Sequence, residues 1–403
     1  MARSTPVSRR NFIGQTAAGL GLLGLGATRA NSRDEAPEKK IITRTLGRTG
    51  LELPVVSMGV MNANVSDLVM ESYRLGVRHF DTAWGYQGGN NERMLGRSIR
   101  QLGVRKEVVI ATKFPAGNLS GDNIEETMRV IRQRFEESLR RLDTDHVDIL
   151  YFHGANDPSQ VRSPEIRDLL SEFKKEGKMR FSGISCHSNT TAVVNAMTES
   201  GSWDVALITL NFAMADDTTY IRALRGAADK GIGLIAMKTQ AGGDWWRNAR
   251  QKSTRFDGPL NQSAMLKWVL NNPFITTAVP GYTTFDQLRE DIAVAYDLSY
   301  TEEEEKFLGD REIQMGLGFC RQCGSCTARC PKHVDIPTLM RSHMYAFQYH
   351  NLEQAHAAIR EIAPRYGLAE CLDCAVCSAA CVRSVAVPER IRELKQLAAY
   401  RWS

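Results

Sequence analysis

Residues 108–112 (Val108-Val109-Ile110-Ala111-Thr112), residues 123–142 (NIEETMRVIRQRFEESLRRL) and residues 147–152 (Val147-Asp148-Ile149-Leu150-Tyr151-Phe152) decide the fold. The first and last are short, apolar and rich in β-branched residues, as strands buried on both faces are. The middle stretch sets Ile124, Met128, Ile131, Phe135, Leu139 and Leu142 three and four residues apart, which gives one apolar helical face. Asp122, with Glu125 three residues on, is expected to cap that helix.

Outward from this unit the alternation continues. Val55–Val60, Val77–Asp81, Met179–Ser185, Val205–Leu210, Ile232–Met237 and Thr276–Val279 complete eight apolar runs separated by amphipathic stretches. Eight repeats over about 270 residues predict an α/β protein whose main domain, residues 41–312, is a TIM (β/α)8 barrel. No Gly-x-Gly-x-x-Gly follows an early strand, which argues against a doubly wound dinucleotide fold. Thr43–Leu46 and Leu51–Leu53, joined by Gly47-Arg48-Thr49-Gly50, predict a hairpin that closes the barrel bottom.

Composition agrees with a folded protein: 43% of the 403 residues are hydrophobic and 24% charged. The formal charge is +5, but Arg3, Arg9, Arg10 and Arg29 stand in an opening segment without acids, and without them about +1 remains. Nucleic-acid binding is therefore not expected. Ser8-Arg9-Arg10-Asn11-Phe12-Ile13, the apolar stretch Ala17–Ala27 and Thr28-Arg29-Ala30 resemble a twin-arginine export signal over residues 1–30, followed by a linker to residue 40. The apolar run is about half the roughly 20 residues that a membrane span needs, so no permanent span is expected. The reading implies the twin-arginine export machinery as a partner and a periplasmic or other extracytoplasmic location.

Reactive groups of such a barrel belong at the C-terminal ends of its strands. Asp81 ends the second run, with Tyr86 shortly after it in Phe80-Asp81-Thr82-Ala83-Trp84-Gly85-Tyr86, Lys113 ends the third, and His153 ends the fourth. Together they suit proton transfer to a carbonyl oxygen. Lys113 is expected to lower the tyrosine's pKa, Asp81 to keep the lysine charged, and His153 to orient the carbonyl. Trp84, Trp245, Trp246 and Tyr282 are expected to form an aromatic rim for a sugar or ring compound.

These four residues, in this order and at these strand ends, resemble the aldo-keto reductase family. Asn91-Glu92-Arg93-Met94-Leu95-Gly96 and Val279-Pro280-Gly281 extend the resemblance over roughly residues 41–310. It implies Tyr86 as general acid-base, Asp81 and Lys113 as its tuners, His153 as orienting group, and NADP or NAD as cofactor, contacted by Ser185, Asn211, Gly281 and Glu290. The sequence departs from the family at Cys186, where an asparagine is usual, and at Leu207, where a glutamine would contact the carboxamide. Gly281-Tyr282-Thr283-Thr284 offers no lysine or arginine for a 2'-phosphate, and Glu290-Asp291 stands in place of Glu-Asn.

Eight of the nine cysteines fall in two runs, Cys320-x-x-Cys323-x-x-Cys326-x-x-x-Cys330 and Cys371-x-x-Cys374-x-x-Cys377-x-x-x-Cys381, which leaves Cys186 as a small buried residue. This is bacterial ferredoxin spacing, in which the fourth cysteine of each run serves the other cluster. Two 4Fe-4S clusters are expected, one on Cys320, Cys323, Cys326 and Cys381, the other on Cys371, Cys374, Cys377 and Cys330. The spacer reads as helices over Pro337–Tyr349 and Leu352–Ile362, so residues 313–403 resemble a small, mainly helical dicluster ferredoxin.

The expected function is an exported oxidoreductase that transfers hydride between a nicotinamide and a small carbonyl, alcohol or sugar-like substrate, its clusters passing electrons to a redox partner protein. One alternative is a redox-neutral sugar-modifying enzyme with a retained nicotinamide and structural clusters. The other is a non-catalytic electron-transfer protein.

Overall fold

A computed structural model describes residues 40–115, 123–241, 260–383 and 385–399, and from Lys40 onward the chain forms one compact unit. The segment read as an export signal lies outside the described residues, as do Asp122, Trp245 and Trp246.

Two antiparallel strands, β1 (Thr43–Thr45) and β2 (Glu52–Pro54), make the expected hairpin. Eight parallel strands follow: β3 (Met58–Gly59), β4 (His79–Asp81), β5 (Val109–Pro115), β6 (Val147–His153), β7 (Met179–Ser185), β8 (Val205–Thr209), β9 (Gly233–Met237) and β10 (Thr277–Ala278). Each pairs with the next in chain order. A parallel bridge between Val56 and Ala278, with Ser57 N–H donating to Ala278 O at 2.8 Å, joins the last strand to the first. All eight apolar runs are strands, and the fold is the TIM barrel expected.

The hairpin plugs the bottom. Leu46, Leu51 and Leu53 pack into one cluster with Ala111, Ile149 and Val205, inward-facing residues of three barrel strands. The approach is close enough to require glycine at position 47: its φ is +49°, and a Cβ there would lie 2.4 Å from Gly231 O. Outside the barrel, helix Ile124–Leu142 buries the predicted face, with Phe135 4.7 Å from the Phe173 ring of helix Pro164–Lys175. Its N-cap is Asn123, whose side chain accepts from Glu126 N–H at 3.2 Å, so the cap lies one residue beyond the Asp122 expected.

Beyond residue 310 the described chain is helical: Arg311–Gly316, Ile336–Phe347, Leu352–Arg360 and Val387–Ala399. Pro337 sits in the first turn of Ile336–Phe347, and Asp335 caps that helix by accepting from Thr338 N–H at 3.1 Å. This helix is buried all round. Ile336, Leu339 and Met340 belong to a small separate core with Ile391 and Leu394, whereas Met344, Tyr345 and Ala346 belong to the barrel's core. It is the joint between the two parts, and Tyr345 brings it over the barrel mouth.

Among the described residues no helix is long and apolar enough to cross a membrane.

Candidate active site

The four residues singled out at the strand ends converge. Lys113 is buried in β5; its ammonium pairs with Asp81 at the end of β4 and donates to Thr82 O at 2.6 Å. The same nitrogen lies 5.0 Å from the centre of the Tyr86 ring, and His153, ending β6, stands edge-on to that ring at 6.1 Å. Tyr86 opens a short 3-10 turn, Tyr86–Gly89, that side chains hold in place. Gln87 Nε2 donates to Met61 O at 3.0 Å, and Asn91 bridges Thr82 Oγ1 at 2.8 Å and Val60 O at 2.6 Å. Buried Glu92 accepts from Thr112 at 2.7 Å and from Arg141 at 3.2 Å. A Cβ at Gly96 would lie 2.5 Å from Leu142 O, so glycine lets this helix press against Ile124–Leu142. The 91–96 segment thus does positional work behind the tyrosine.

The electrostatics differ from the expectation in one respect. Burial pushes the Tyr86 phenol well above its ordinary value, and the Asp81 charge adds to this. The charge that opposes this rise most is Arg341, whereas the Lys113 ammonium is matched by the carboxylate of Asp81 in direct contact. Burial also acts against both members of the pair, raising Asp81 and lowering Lys113, while their attraction opposes it. Tyr86 therefore stays protonated near neutrality and suits a proton donor. His153 is held well below its usual range by desolvation, then by Lys113, Arg341 and Lys238, so it is a neutral imidazole that can donate one hydrogen bond.

At the ends of β7 and β8 the buried Ser185 Oγ and Asn211 Oδ1 have no partner among the described residues, and Asn211 Nδ2 donates to Lys238 O at 3.1 Å. Idle buried groups of this kind at neighbouring strand ends fit the amide of a nicotinamide ring. Leu207, where a glutamine would serve that amide, is buried and lines a cavity with Asp81 and Tyr86. Gly281 lines it as well. Glu290 is exposed, and its neighbour Asp291 is the buried one, accepting from Gln240 Nε2 at 2.7 Å; burial raises its carboxyl to about 8. Cys186 is fully buried, its thiol raised to about 12 by burial, which suits a packing role.

Two of the four expected rim residues lie elsewhere, and Trp245 and Trp246 fall outside the described residues. Tyr282 is completely buried and donates to Ser72 Oγ at 3.0 Å. Trp84 turns to the barrel's flank, where its Nε1 donates to Glu137 at 2.9 Å and Arg134 stacks on it at 4.5 Å. Among the described residues the aromatic side chains that line the mouth besides Tyr86 are Tyr345, from helix Ile336–Phe347, and Tyr349 just beyond it. Under them lies a cavity of about 80 Å³, against the roughly 300–1,000 Å³ usual for ligand pockets. It shares Asn62, Gly281 and Tyr349 with an outer groove of about 590 Å³. Sequence reasoning also missed His187, Lys238 and Arg341. His187 Nδ1 is 3.0 Å from Lys238 Nζ and its ring is 5.6 Å from His153. His187 and Lys238 follow the ends of β7 and β9 closely, so a search of every strand end would have found them.

The cysteines gather in the crossed sets. Cys330, Cys371, Cys374 and Cys377 line one cavity of about 440 Å³. The thiols acting on Cys320 are Cys326 and Cys381, and those acting on Cys326 are Cys381 and Cys323. Among the described residues no three His, Cys, Asp or Glu side chains close on a single ion, and four thiols ringing a cavity fit a cube of iron and sulfur. The first set lies against the barrel. Arg321 and Arg383, next to Cys320 and near Cys381, both pair with Asp216 in the loop after β8, and Cys320 shares a cavity of about 20 Å³ with His187, Lys238 and Arg341. The second set lies beside exposed Leu372 and Val376.

A protonated phenol, a neutral imidazole and a buried ion pair at the mouth of a parallel barrel define an oxidoreductase of the TIM-barrel kind that acts on carbonyls or alcohols. Comparison with known proteins narrows the class. The chain belongs to the aldo/keto reductase family, whose model matches residues 57–262, and residues 319–386 match a 4Fe-4S dicluster domain. It is similar to the L-galactose dehydrogenase of Arabidopsis thaliana, 28% identical over 304 residues that span 68% of this chain and 94% of that one. In fold it is similar to an aldo-keto reductase from Bacillus halodurans in its holo form, with a TM-score of 0.53, 21% identity, and coverage of 67% of this chain and 96% of that one. A Klebsiella pneumoniae aldo/keto reductase in complex with NADP and acetate gives a TM-score of 0.51 at 20% identity, covering 66% and 93%.

Proposed function

We propose that the protein is an exported oxidoreductase that moves hydride between a nicotinamide and a sugar-like carbonyl or alcohol, with two 4Fe-4S clusters passing electrons onward. The observation that carries this reading is the buried Asp81–Lys113 pair beneath a protonated Tyr86, with neutral His153 against its ring. When bound, the nicotinamide supplies the hydride. Tyr86 gives its proton to the carbonyl oxygen, His153 donates a hydrogen bond to the same atom, and Asp81–Lys113 fixes both the loop and the local field. Ser185 and Asn211 are the groups that would hold the carboxamide. The similarity to a dehydrogenase named for L-galactose supports a polyhydroxylated substrate.

The two electrons that restore the nicotinamide after each hydride transfer would come one at a time from a redox partner protein meeting Leu372 and Val376, by the cluster of Cys330, Cys371, Cys374 and Cys377 and then that of Cys320, Cys323, Cys326 and Cys381, which faces the barrel. Export is supported by Arg9 and Arg10 ahead of an apolar stretch, and the twin-arginine machinery would carry the protein after its clusters are in place.

The test is anaerobic purification of the mature protein, denaturation of a portion and assay of the released nucleotide. About one NAD or NADP per chain is expected, and Tyr86→Phe should lower turnover about 10²-fold or more. No bound nucleotide, together with no binding of either added form, would remove the nicotinamide mechanism. The narrow roofed cavity favours a second reading, in which a retained nucleotide returns its hydride and the reaction is redox-neutral overall. Full turnover by a Cys381→Ser protein that has lost one cluster would decide for it.

A further inference from the structure

Two cations face the reacting groups, Lys238 with no carboxylate partner among the described residues and Arg341 with one that engages a single nitrogen. Lys238, just after β9, has its ammonium 3.0 Å from His187 Nδ1 and 3.5 Å from Met237 Sδ, and among the described residues no carboxylate pairs with it. Its backbone has φ +56°, a conformation that an L-residue adopts at some cost and that marks functional positions. Arg341 comes from the opposite side, from helix Ile336–Phe347, with its side chain only 2% exposed. One of its terminal nitrogens pairs with Glu361, which is half exposed, while Nε and Nη1 have no partner among the described residues. A buried guanidinium with two idle donors is costly unless something accepts from them.

Arg341, Lys238 and His187 line the same cavity of about 20 Å³, and the rings of His187, His153 and Tyr86 follow one another at 5.6 and 6.1 Å. Cys320 lines this cavity too, and the side chain that pairs with Arg341 is Glu361.

We infer that Lys238 and Arg341 form the seat of an oxyanion carried by the substrate, so that the enzyme takes a carbonyl or alcohol compound bearing a carboxylate or a phosphate, one imidazole away from the reacting oxygen. Arg341 Nη2 is held by Glu361, so the idle Nε and Nη1 each offer a separate hydrogen bond to an acid oxygen, and the lysine supplies the second charge. His187 stands between this seat and His153 and sets the spacing of the substrate's two ends. Arg341 lies outside residues 57–262, the span matched by the family model, so this recognition is contributed by the C-terminal part of the chain. The inference rests on the proposed reading of Tyr86 and His153 for the reacting end, but the seat itself is tested without turnover.

The experiment is calorimetric titration of the full-length, cluster-loaded protein, with and without added NADP, using three probes: lactate, its uncharged amide lactamide, and inorganic phosphate. Lactate or phosphate should bind about tenfold or more tightly than lactamide, and Arg341→Gln and Lys238→Gln should each remove that preference. Arg341→Lys, which keeps the charge, should retain part of it, and the iron–sulfur absorbance reports whether each variant has folded. Preference for lactate assigns acid substrates, and preference for phosphate assigns phosphoesters. Equal binding of lactate and lactamide, or an unchanged preference in a folded Arg341→Gln protein, overturns the inference. Tyr86→Phe should leave the titration unchanged, so a failure of the acid–base reading would show there as retained turnover, apart from any result of the titration.

Discussion

Replacing Lys113 by methionine is expected to cost the barrel about 3–5 kcal/mol, because it strands a carboxylate that has nowhere to turn. Methionine keeps most of the stem's volume and removes the charge. Asp81 then loses its ammonium partner in a site from which water is excluded, with its Oδ2 already unpartnered among the described residues. One-sided removal of a buried ion pair costs about that much. In a protein of this size each kcal/mol lowers the melting point by roughly 1–1.5 °C, so a fall of about 5 °C is expected. Adding Asp81→Leu removes the stranded charge and should recover most of the loss, since apolar replacement of both partners is often close to neutral. Neither variant should turn over. The assay is an anaerobic thermal melt followed by circular dichroism at one scan rate and pH 7. A single variant melting with the wild type, or a double variant no more stable than the single, would refute the view that these two charges hold each other in place.

The remaining predictions concern the periphery of the site. Asp216 is held down to about 2 although burial acts upward, because Arg383 and Arg321 bond to it; the stability it adds is present above its ordinary 3.8 and lost as pH falls toward 2. Asp216→Asn, at a 40% exposed side chain, should cost about 1 kcal/mol at neutral pH and nothing at pH 2, read by melts at both. Asp291 is raised to about 8 by burial, so the folded protein loses stability as pH climbs from 3.8 to 8; Asp291→Asn should therefore melt progressively higher than wild type over that window and hold a constant gain above it. Cys381→Ser should lower iron from about eight to about four atoms per chain and leave the Cys371 cluster's spectrum in place, whereas loss of the other cluster would contradict the crossed ligand sets. Phe135→Ala should cost about 3–5 kcal/mol by opening a void against Phe173, checked by denaturant titration of the anaerobic protein.

Which parts of this were legible in the sequence follows from the range of the interactions involved. Val147–His153 reads as a strand because a parallel barrel buries both faces, so the run is apolar throughout and needs no partner to be recognised. Asp81, Lys113 and His153 were found by their place at strand ends, and the cysteine sets by spacing alone. Tyr345 and Arg341 were not found. Helix Ile336–Phe347 looks like any helix locally, and what covers each of its faces is decided by chain about 100 to 280 residues away, at Lys238 and Asn62. The rise of the Tyr86 phenol was missed for the same reason: burial is its largest cause, and that helix lies over the cavity Tyr86 lines. Tyr282 failed as a rim residue because its neighbour in space is Ser72, 210 residues earlier.

Helix Ile336–Phe347 also sets a timetable. It is made after the whole barrel, and domains tend to fold from the N-terminal side as the chain emerges, so the mouth stands open for as long as the cluster-bearing part is unfinished. Once Tyr345 and Tyr349 settle, anything beneath them leaves only when a helix with eleven buried residues lifts. Residence inside would then be governed by how often that helix opens, and hardly by the strength of the contacts below it.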